Sequence, residues 1–405
     1  MKRMELLCPA GTPAGFKTAL DFGADAVYIA GNEFGMRTAA AMSNDALKGC
    51  IDYAHSRGKR VFVTCNTLPH NNEIKRLPEF LEFINSCGAD AVIAADIGSM
   101  RLVQKYAPDC ALHISVQSGV VNYETAAAFY EMGAKRVVLA RELSLEEIAE
   151  IRQKAPPALE LEAFAHGAMC VSFSARCLLS DYMTGRDANR GACAQACRWK
   201  YSLVEEKRQG QYFDITEDEK GSYILNANDL KMAEHLDKMA KAGIDCIKIE
   251  GRAKSEYYVA VTANAYRGAL DSLSNSAENW TAPEWVTSEL DKISHRPYST
   301  GFYFGRPSGE QTYKSAGYLR DYSVAAVVTG YSGGCIEAQL KNKFLRGQEL
   351  DCLEPGKVPF KISTEVLFNG DGQPIESAPH PMMTVKIPFE RKISVGAMLR
   401  MKAEE

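Results

Sequence analysis

Gly23-Ala-Asp-Ala-Val-Tyr-Ile-Ala30 is the stretch on which the fold turns. The same form returns as Gly88-Ala-Asp-Ala-Val-Ile-Ala-Ala95, Gly133-Ala-Lys-Arg-Val-Val-Leu-Ala140 and Gly243-Ile-Asp-Cys-Ile-Lys-Ile-Glu250. In each, a helix-like stretch ends at the glycine and a short apolar run follows. Glycine supplies the left-handed conformation that closes a helix, and an unbroken Val/Ile/Leu run suits a parallel strand buried on both faces. Outward from these units, Glu5–Cys8, Arg60–Asn66, Leu112–Val116 and Leu159–Phe164 are further strand candidates, with amphipathic stretches such as Asn72–Cys87 and Ser144–Lys154 between them. Eight strands alternating with helices predict an α/β fold, a (β/α)8 TIM-like barrel that is complete, incomplete or decorated, in preference to an open doubly wound sheet. The turn Pro9-Ala-Gly11-Thr-Pro-Ala-Gly15 lacks the spacing of a dinucleotide fingerprint and reads as a tight turn.

The regular spacing breaks after Phe164, and an insertion over about residues 165–245 replaces one βα connection. Long insertions in compact folds are usually functional. After Gly251 a helical stretch, Ser255–Ser272, leads through a polar segment to the turn-rich Ser294–Gly305. From Asp321 onward the pattern becomes short β-like runs separated by Gly, Pro and Asn turns. The division expected is a barrel domain over 1–320 and a small all-β barrel domain over 321–405.

The chain has 405 residues, 46% hydrophobic and 24% charged, the balance of a soluble globular protein with a large core. A net charge of −4 gives no global attraction to a polyanion, so any nucleic-acid contact must come from a local basic patch. The first residues lack the apolar core of a signal peptide, and no apolar run reaches the roughly 18 residues needed to cross a membrane as a helix. A cytoplasmic protein is expected. In that reducing compartment the twelve cysteines should not form a disulfide framework. Cys8, Cys50, Cys65, Cys87, Cys110 and Cys246 sit in apolar or helix-end contexts and read as small buried hydrophobes, while Cys335 and Cys352 have no partner spacing.

Cys170, Cys177, Cys193 and Cys197 stand apart, spaced C-x6-C-x15-C-x3-C inside the insertion. Four thiolates this close in sequence suit a [4Fe–4S] cluster or tetrahedral zinc; paired C-x2-C knuckles would favour zinc, and the irregular spacing favours the cluster. The bland reading is four unrelated buried thiols, against which stand the glycines, serines and arginines around them. The segment follows a barrel strand and so belongs at the C-terminal mouth, where barrel enzymes place their chemistry. Asn66, Asp96, Gln117, Arg141, Glu142, Glu162, His166, Lys248, Glu250 and Arg252 are expected at the same mouth. Charges at the ends of buried strands are costly unless paired, so mutual ion pairing competes with catalysis as their explanation. His166 fits a proton donor, a partner of the cluster or an ordinary loop histidine. For RNA, Arg198, Trp199, Lys200 and Tyr201, and Arg296 with Tyr298, interleave cations with aromatics in the manner that suits phosphate contact and base stacking.

The run Glu162-Ala-Phe-Ala-His-Gly167-Ala-Met-Cys170, followed by Cys177-Leu-Leu-Ser180, closely resembles the signature of the collagenase-like peptidase family, family U-32, with Ala175 where that signature has glycine. Glu5-Leu-Leu-Cys-Pro-Ala-Gly11, the Gly23 unit and Lys248-Ile-Glu-Gly-Arg252 resemble it too, and the β-rich tail looks like the C-terminal domain of some members. Within the family, Gly191-x-Cys193-x3-Cys197-Arg-Trp-Lys-Tyr201 and Ser294–Tyr303 are most similar to a branch acting on tRNA. That resemblance implies oxygen-independent formation of 5-hydroxyuridine at the wobble position of an anticodon loop, with prephenate as hydroxyl donor. It implies Cys170, Cys177, Cys193 and Cys197 as ligands of an iron–sulfur cluster, and a family paralogue as a conceivable partner subunit. Arg141, Lys248 or Arg252 would hold the carboxylates of the donor. Sister branches act on ribosomal RNA or quinone precursors. The family label also raises a peptidase, but the sequence offers no His-Glu-x-x-His zinc site and no Gly-x-Ser-x-Gly elbow. A non-catalytic scaffold held together by the cluster is the third reading, and it would lack an open polar mouth.

Overall fold

The computed structural model describes residues 3–36, 41–170, 172–199, 217–218, 221–222, 228–276, 279–305 and 321–403. The glycine-closed units form consecutive parallel strands: β1 (Glu5–Pro9), β2 (Ala26–Ile29), β3 (Arg60–Cys65), β4 (Ala91–Ala94), β5 (Ala111–Ile114), β6 (Ala134–Val138), β7 (Glu160–Ala168) and β8 (Cys246–Ile249). Neighbours in sequence are neighbours in the sheet, and β8 pairs in parallel with both β7 and β1, Cys246 standing opposite Glu162 on one side and Glu5 on the other. That double pairing closes the barrel and excludes the doubly wound sheet.

Eight helices follow the eight strands: α1 (Pro13–Asp21), α2 (Asn44–His55), α3 (Leu77–Ser86), α4 (Ile97–Tyr106), α5 (Tyr123–Glu131), α6 (Leu145–Lys154), α7 (Leu236–Lys241) and α8 (Glu256–Ser274). Their starts are written in the sequence. Thr12, Ser43, Asp96, Asn122, Ser144 and Ser255 each accept a hydrogen bond from the backbone N–H three residues on, which satisfies a donor that the helix itself cannot. Asp96, expected at the mouth, is used there as the cap of α4.

Two layers of core result. The larger lies between the strands and the helices and includes Leu6, Phe16, Val63, Leu81 and Val92. The smaller fills the barrel with Leu7, Tyr28, Phe62 and Ile93. The C-terminal unit is a seven-stranded antiparallel sheet running from Tyr322–Ser332 to Met398–Lys402 and curled into a half-barrel over its own core of Val328, Ile336, Leu350 and Val385. It is fastened to the barrel by Arg400, fully buried, whose guanidinium lies 2.6 Å from Glu289 and 3.3 Å from Asp351. Asn264 of α8 adds hydrogen bonds to the backbone of Gly356 and Lys357. Among the described residues no helix is long and apolar enough to cross a membrane.

Gly23 and Gly88 occupy equivalent turns, with φ of 112° and 79°. At Gly88 a Cβ would meet nothing closer than 3.7 Å, whereas at Gly23 it would lie 2.6 Å from Cγ of Arg267, which is itself held by Asp25 and Asp271. Gly88→Ala should therefore cost about 1–2 kcal/mol, the left-handed penalty alone, and Gly23→Ala distinctly more. Urea unfolding of the two variants checks this, and equal costs would contradict it.

Candidate active site at the barrel mouth

Strand β7 continues four residues past the run legible in the sequence and ends at Ala168, so the excursion from the barrel begins at Met169. Gly167 allows this. Its φ is 107°, and a Cβ there would collide with the backbone oxygen of Glu250, just beyond β8. The chain then makes a compact lobe of short turns and one helix, Leu179–Thr184. Polar side chains pin it from several sides. Glu142 accepts hydrogen bonds from the Ser174 amide and hydroxyl at 2.7 and 2.8 Å. Asn189 brackets Cys177, accepting from its N–H and donating to its carbonyl. The Ser180 hydroxyl donates to the Arg186 carbonyl and accepts from the Ala194 amide. Arg190 pairs with Glu73 at 2.6 Å. Glu142, expected at the mouth, is thus an anchor of the lobe.

Cys170, Cys177, Cys193 and Cys197 all line one cavity of about 160 Å³ between this lobe and the barrel. None of the twelve cysteines is in a disulfide. The Leu179 amide donates to Sγ of Cys177 at 3.3 Å and the Gln195 amide to Sγ of Cys193 at 3.4 Å. Among the described residues, no three His, Cys, Asp or Glu side chains stand close enough together to hold a metal ion. The thiols face a common space without being drawn onto a common centre. Cys8, Cys65 and Cys246 behave as expected of core thiols: each is buried, and burial pushes each well up from the usual thiol range.

The same cavity is lined by Arg141, Lys248, Glu250 and Arg252, and by Asn66 and Gln117. Arg141 stacks on Phe164, 3.7 Å from the ring centre, and donates one N–H to the Ala168 carbonyl. Arg252 donates to the Thr64 hydroxyl at 3.3 Å. Lys248 lies 4.5 Å above the Tyr28 ring and ion-pairs with Glu162 at 2.7 Å. Tyr28 and Phe164, the aromatic seats of these cations, were not singled out in the sequence. Tyr28 had a signal, since it interrupts the aliphatic run of its strand.

Glu162 and His166 do not line the cavity. Glu162 is fully buried inside the barrel between Lys248 and Arg136, and Arg136 in turn binds Glu5 and Glu160 at 2.7 and 2.6 Å. Burial alone would raise the Glu162 carboxyl; the two cations outweigh it and hold the group down at about 2. His166 is enclosed by the rings of Tyr258, Tyr266 and Tyr298. Burial, with His295 and Lys231 nearby, pushes it down to about 3, so at pH 7 it is a neutral imidazole and not an imidazolium acid. Arg296 and Tyr298 are also corrected as an RNA surface. Arg296 is 2% exposed and bound to Asp229 at 2.6 Å, and Tyr298 stacks on His295 at 4.1 Å between ring centres. Trp199 is exposed as expected; the Arg198 side chain, Lys200 and Tyr201 lie outside the described residues.

Comparison with known proteins places this architecture. The description "Peptidase family U32" matches residues 11–313, and "Peptidase family U32 C-terminal domain" matches residues 320–400. The chain belongs to peptidase family U32. It is 34% identical to a U32 relative from Bacillus subtilis (strain 168), "tRNA hydroxylation protein P1", over 98% of this chain and 95% of that one. It is also 34% identical to "tRNA hydroxylation protein P" of Escherichia coli (strain K12), over 99% and 97%. A third U32 relative, "23S rRNA 5-hydroxycytidine C2501 synthase" of Escherichia coli (strain K12), is 33% identical over 91% of this chain and 52% of that one.

Glu162→Ala should leave two cations buried without their carboxylate and cost about 3–5 kcal/mol. The pH dependence has a definite sign. Because the folded carboxyl is depressed from about 4.5 to about 2, its stabilisation is fully present above about pH 4.5 and is lost as pH falls toward 2. Thermal unfolding of wild type and Glu162→Gln between pH 2 and pH 7 should show a shallower acid loss in the variant; identical acid slopes would contradict the assignment.

Proposed function

We propose that this chain is an RNA hydroxylase that converts uridine at the wobble position of tRNA to 5-hydroxyuridine. The observation that carries the reading is the shared cavity: four cysteines from the inserted lobe face the cations and carboxamides of a barrel mouth. The tRNA-hydroxylating relatives, matched along nearly their whole length, support the choice of substrate.

Cys170, Cys177, Cys193 and Cys197 would hold a [4Fe–4S] cluster. Their all-thiolate donor set, free of disulfides and with amide N–H groups directed at two of the sulfurs, suits that group. The same donor set could also take zinc, which iron and zinc analysis of the purified protein distinguishes. When bound, a cluster supplies one-electron transfer or a Lewis-acidic iron at the cavity wall.

The hydroxyl donor is a small carboxylate, prephenate by family resemblance. In the exchange the C5–H bond of the base gives way to C5–OH, a two-electron oxidation. The donor is reduced by the same two electrons, leaving with hydrogen where its hydroxyl was. Arg141 is placed to hold a donor carboxylate. It lies in the cavity wall with one N–H used by Ala168 and its face fixed on Phe164, so its guanidinium is oriented before the ligand arrives. Lys248 is committed to Glu162 and contributes field more than contact.

An anticodon loop presents bases already unpaired, which lowers the cost of delivering one to a recessed cavity. Around the lobe, Phe173, Leu178, Tyr182, Met183 and Trp199 are exposed large apolar side chains, with Arg176 and Arg186 also exposed. Aromatics among cations form a surface suited to stacking bases and contacting phosphates. This surface takes the role that Arg296 and Tyr298 were expected to fill.

A peptidase is disfavoured by the same geometry. Among the described residues no histidine lines the cavity, which leaves its cysteines without the paired base that a thiol nucleophile requires. Nucleoside mass spectrometry of tRNA from cells lacking the protein tests the proposal. Hydroxyuridine-derived nucleosides should disappear and return with wild type but not with Cys193→Ala, and Arg141→Ala should lower them by roughly tenfold or more. Unchanged tRNA in the deletion would overturn the tRNA assignment and direct the search to ribosomal RNA.

A further inference from the structure

Gln117 stands out among the residues of the cavity wall. It is 1% exposed, and neither its Oε1 nor its Nε2 has a hydrogen-bond partner in the protein. A buried carboxamide with both ends unpaired is costly, and such groups in native proteins call for an explanation. The polar groups nearest it in the chain are engaged elsewhere. Asn66, a second carboxamide of the wall, accepts from the Met36 amide and reaches the Ser115 hydroxyl. The Ser115 hydroxyl also accepts from the backbone N–H of Gln117 itself.

The backbone that carries Gln117 is fixed. It is the middle residue of a single 3-10 turn, Val116–Ser118, directly after β5, with Ser115 as its cap and the Ser118 hydroxyl tied to the Ala95 carbonyl at 3.0 Å. A rigid turn therefore presents a donor and an acceptor side by side to the cavity. The ligand that matches this pair has an acceptor and a donor side by side as well, which is an amide or imide edge. A carboxylate would use Nε2 and leave Oε1 unpaired. The Watson–Crick edge of uracil, with N3–H beside O4, satisfies both.

We propose that Gln117 is a positioning residue that grips the N3–H and O4 edge of the target base and so sets C5 toward the cavity. The inference rests on the RNA reading given above and adds the recognition element to it. A carboxamide can turn over to pair equally with cytosine, so Gln117 reads a pyrimidine edge and does not by itself select uridine.

The test compares two anticodon stem–loop RNAs, one with uridine and one with 3-methyluridine at the wobble position, binding to wild-type protein and to Gln117→Met. Methylation at N3 removes the donor that Oε1 would accept. Wild type should bind the uridine loop roughly tenfold more tightly, the discrimination of one bidentate contact, and Gln117→Met should bind the two loops alike. The melting temperature of Gln117→Met should be no lower than that of wild type, because the substitution removes an unpaired polar group from the interior. A drop of several degrees would mean that Gln117 is structural. Unchanged discrimination in the variant, or wild type indifferent to N3 methylation, would overturn the assignment while leaving the RNA reading intact. Failure of wild type to bind either loop would overturn the RNA reading and the base as occupant together.

Discussion

A buried carboxylate clamped between two cations governs this molecule. Glu162 of β7 sits with no exposed surface between Arg136 of β6 and Lys248 of β8, and Arg136 reaches across to Glu5 of β1. Four consecutive strands around the point of closure are thus joined by charge as well as by backbone hydrogen bonds. Any one of these charges alone would be prohibitively expensive inside a barrel. Together they must be assembled with the strands in register, because a slip of one residue would point Glu162 away from its partners and into the helix layer. The network also sets the electrostatics above it. Lys248 belongs both to the clamp and to the cavity wall, so the floor of the candidate site is held in place by the same contacts that close the fold.

The barrel was legible because its signals are local and repeated. The glycine that ends each helix, the apolar run that follows and the Ser, Thr, Asn or Asp that opens the next helix are each encoded within a few residues. The C-terminal sheet was less legible for a related reason. Glu349–Leu353 and Met398–Lys402 carry Asp351 and Arg400 among their apolar residues, and the charges break the pattern by which a strand is read. They are tolerated because they meet each other and Glu289 across the domain contact, a pairing between segments far apart in sequence. His166 and Arg296 misled for the same reason. Their residue types suggest chemistry or RNA, while their surroundings, three tyrosine rings and Asp229, come from distant parts of the chain.

The four clustered cysteines were legible as a group, and the structure places all four along one cavity. What spacing could not reveal is the frame around them. Asn189 brackets Cys177, Ser180 ties Arg186 to Ala194, and Glu142 anchors Ser174. Asn189 and Ser180 tie the lobe's turns and its one short helix to each other, while Glu142 and the Arg190–Glu73 pair hold the lobe to the barrel. A lobe made this way keeps its thiols along one cavity wall without gathering them onto one centre.

The proposed hydroxylation at C5 would require a place for the displaced proton, and the composition of the cavity wall narrows the choice. Among the described residues no histidine lines it, and His166, the nearest by sequence, is sealed among aromatic rings in its neutral form. Glu250 is the carboxylate among the described lining residues. Its backbone is fixed on two sides, by the hydroxyl of Tyr258 on its carbonyl at 3.0 Å and by the close approach of Gly167, and its Oε2 lies 3.3 Å from the hydroxyl of Tyr28. A carboxylate so placed is oriented before substrate enters, which is the geometric condition for general-base work. If the reaction is the one proposed, the proton leaving C5 has Glu250 as its acceptor in the protein. The Tyr28 hydroxyl has the Ile249 carbonyl at 3.0 Å and the Glu250 carboxylate at 3.3 Å as acceptors, so it ties the end of β8 to the cavity wall besides seating Lys248.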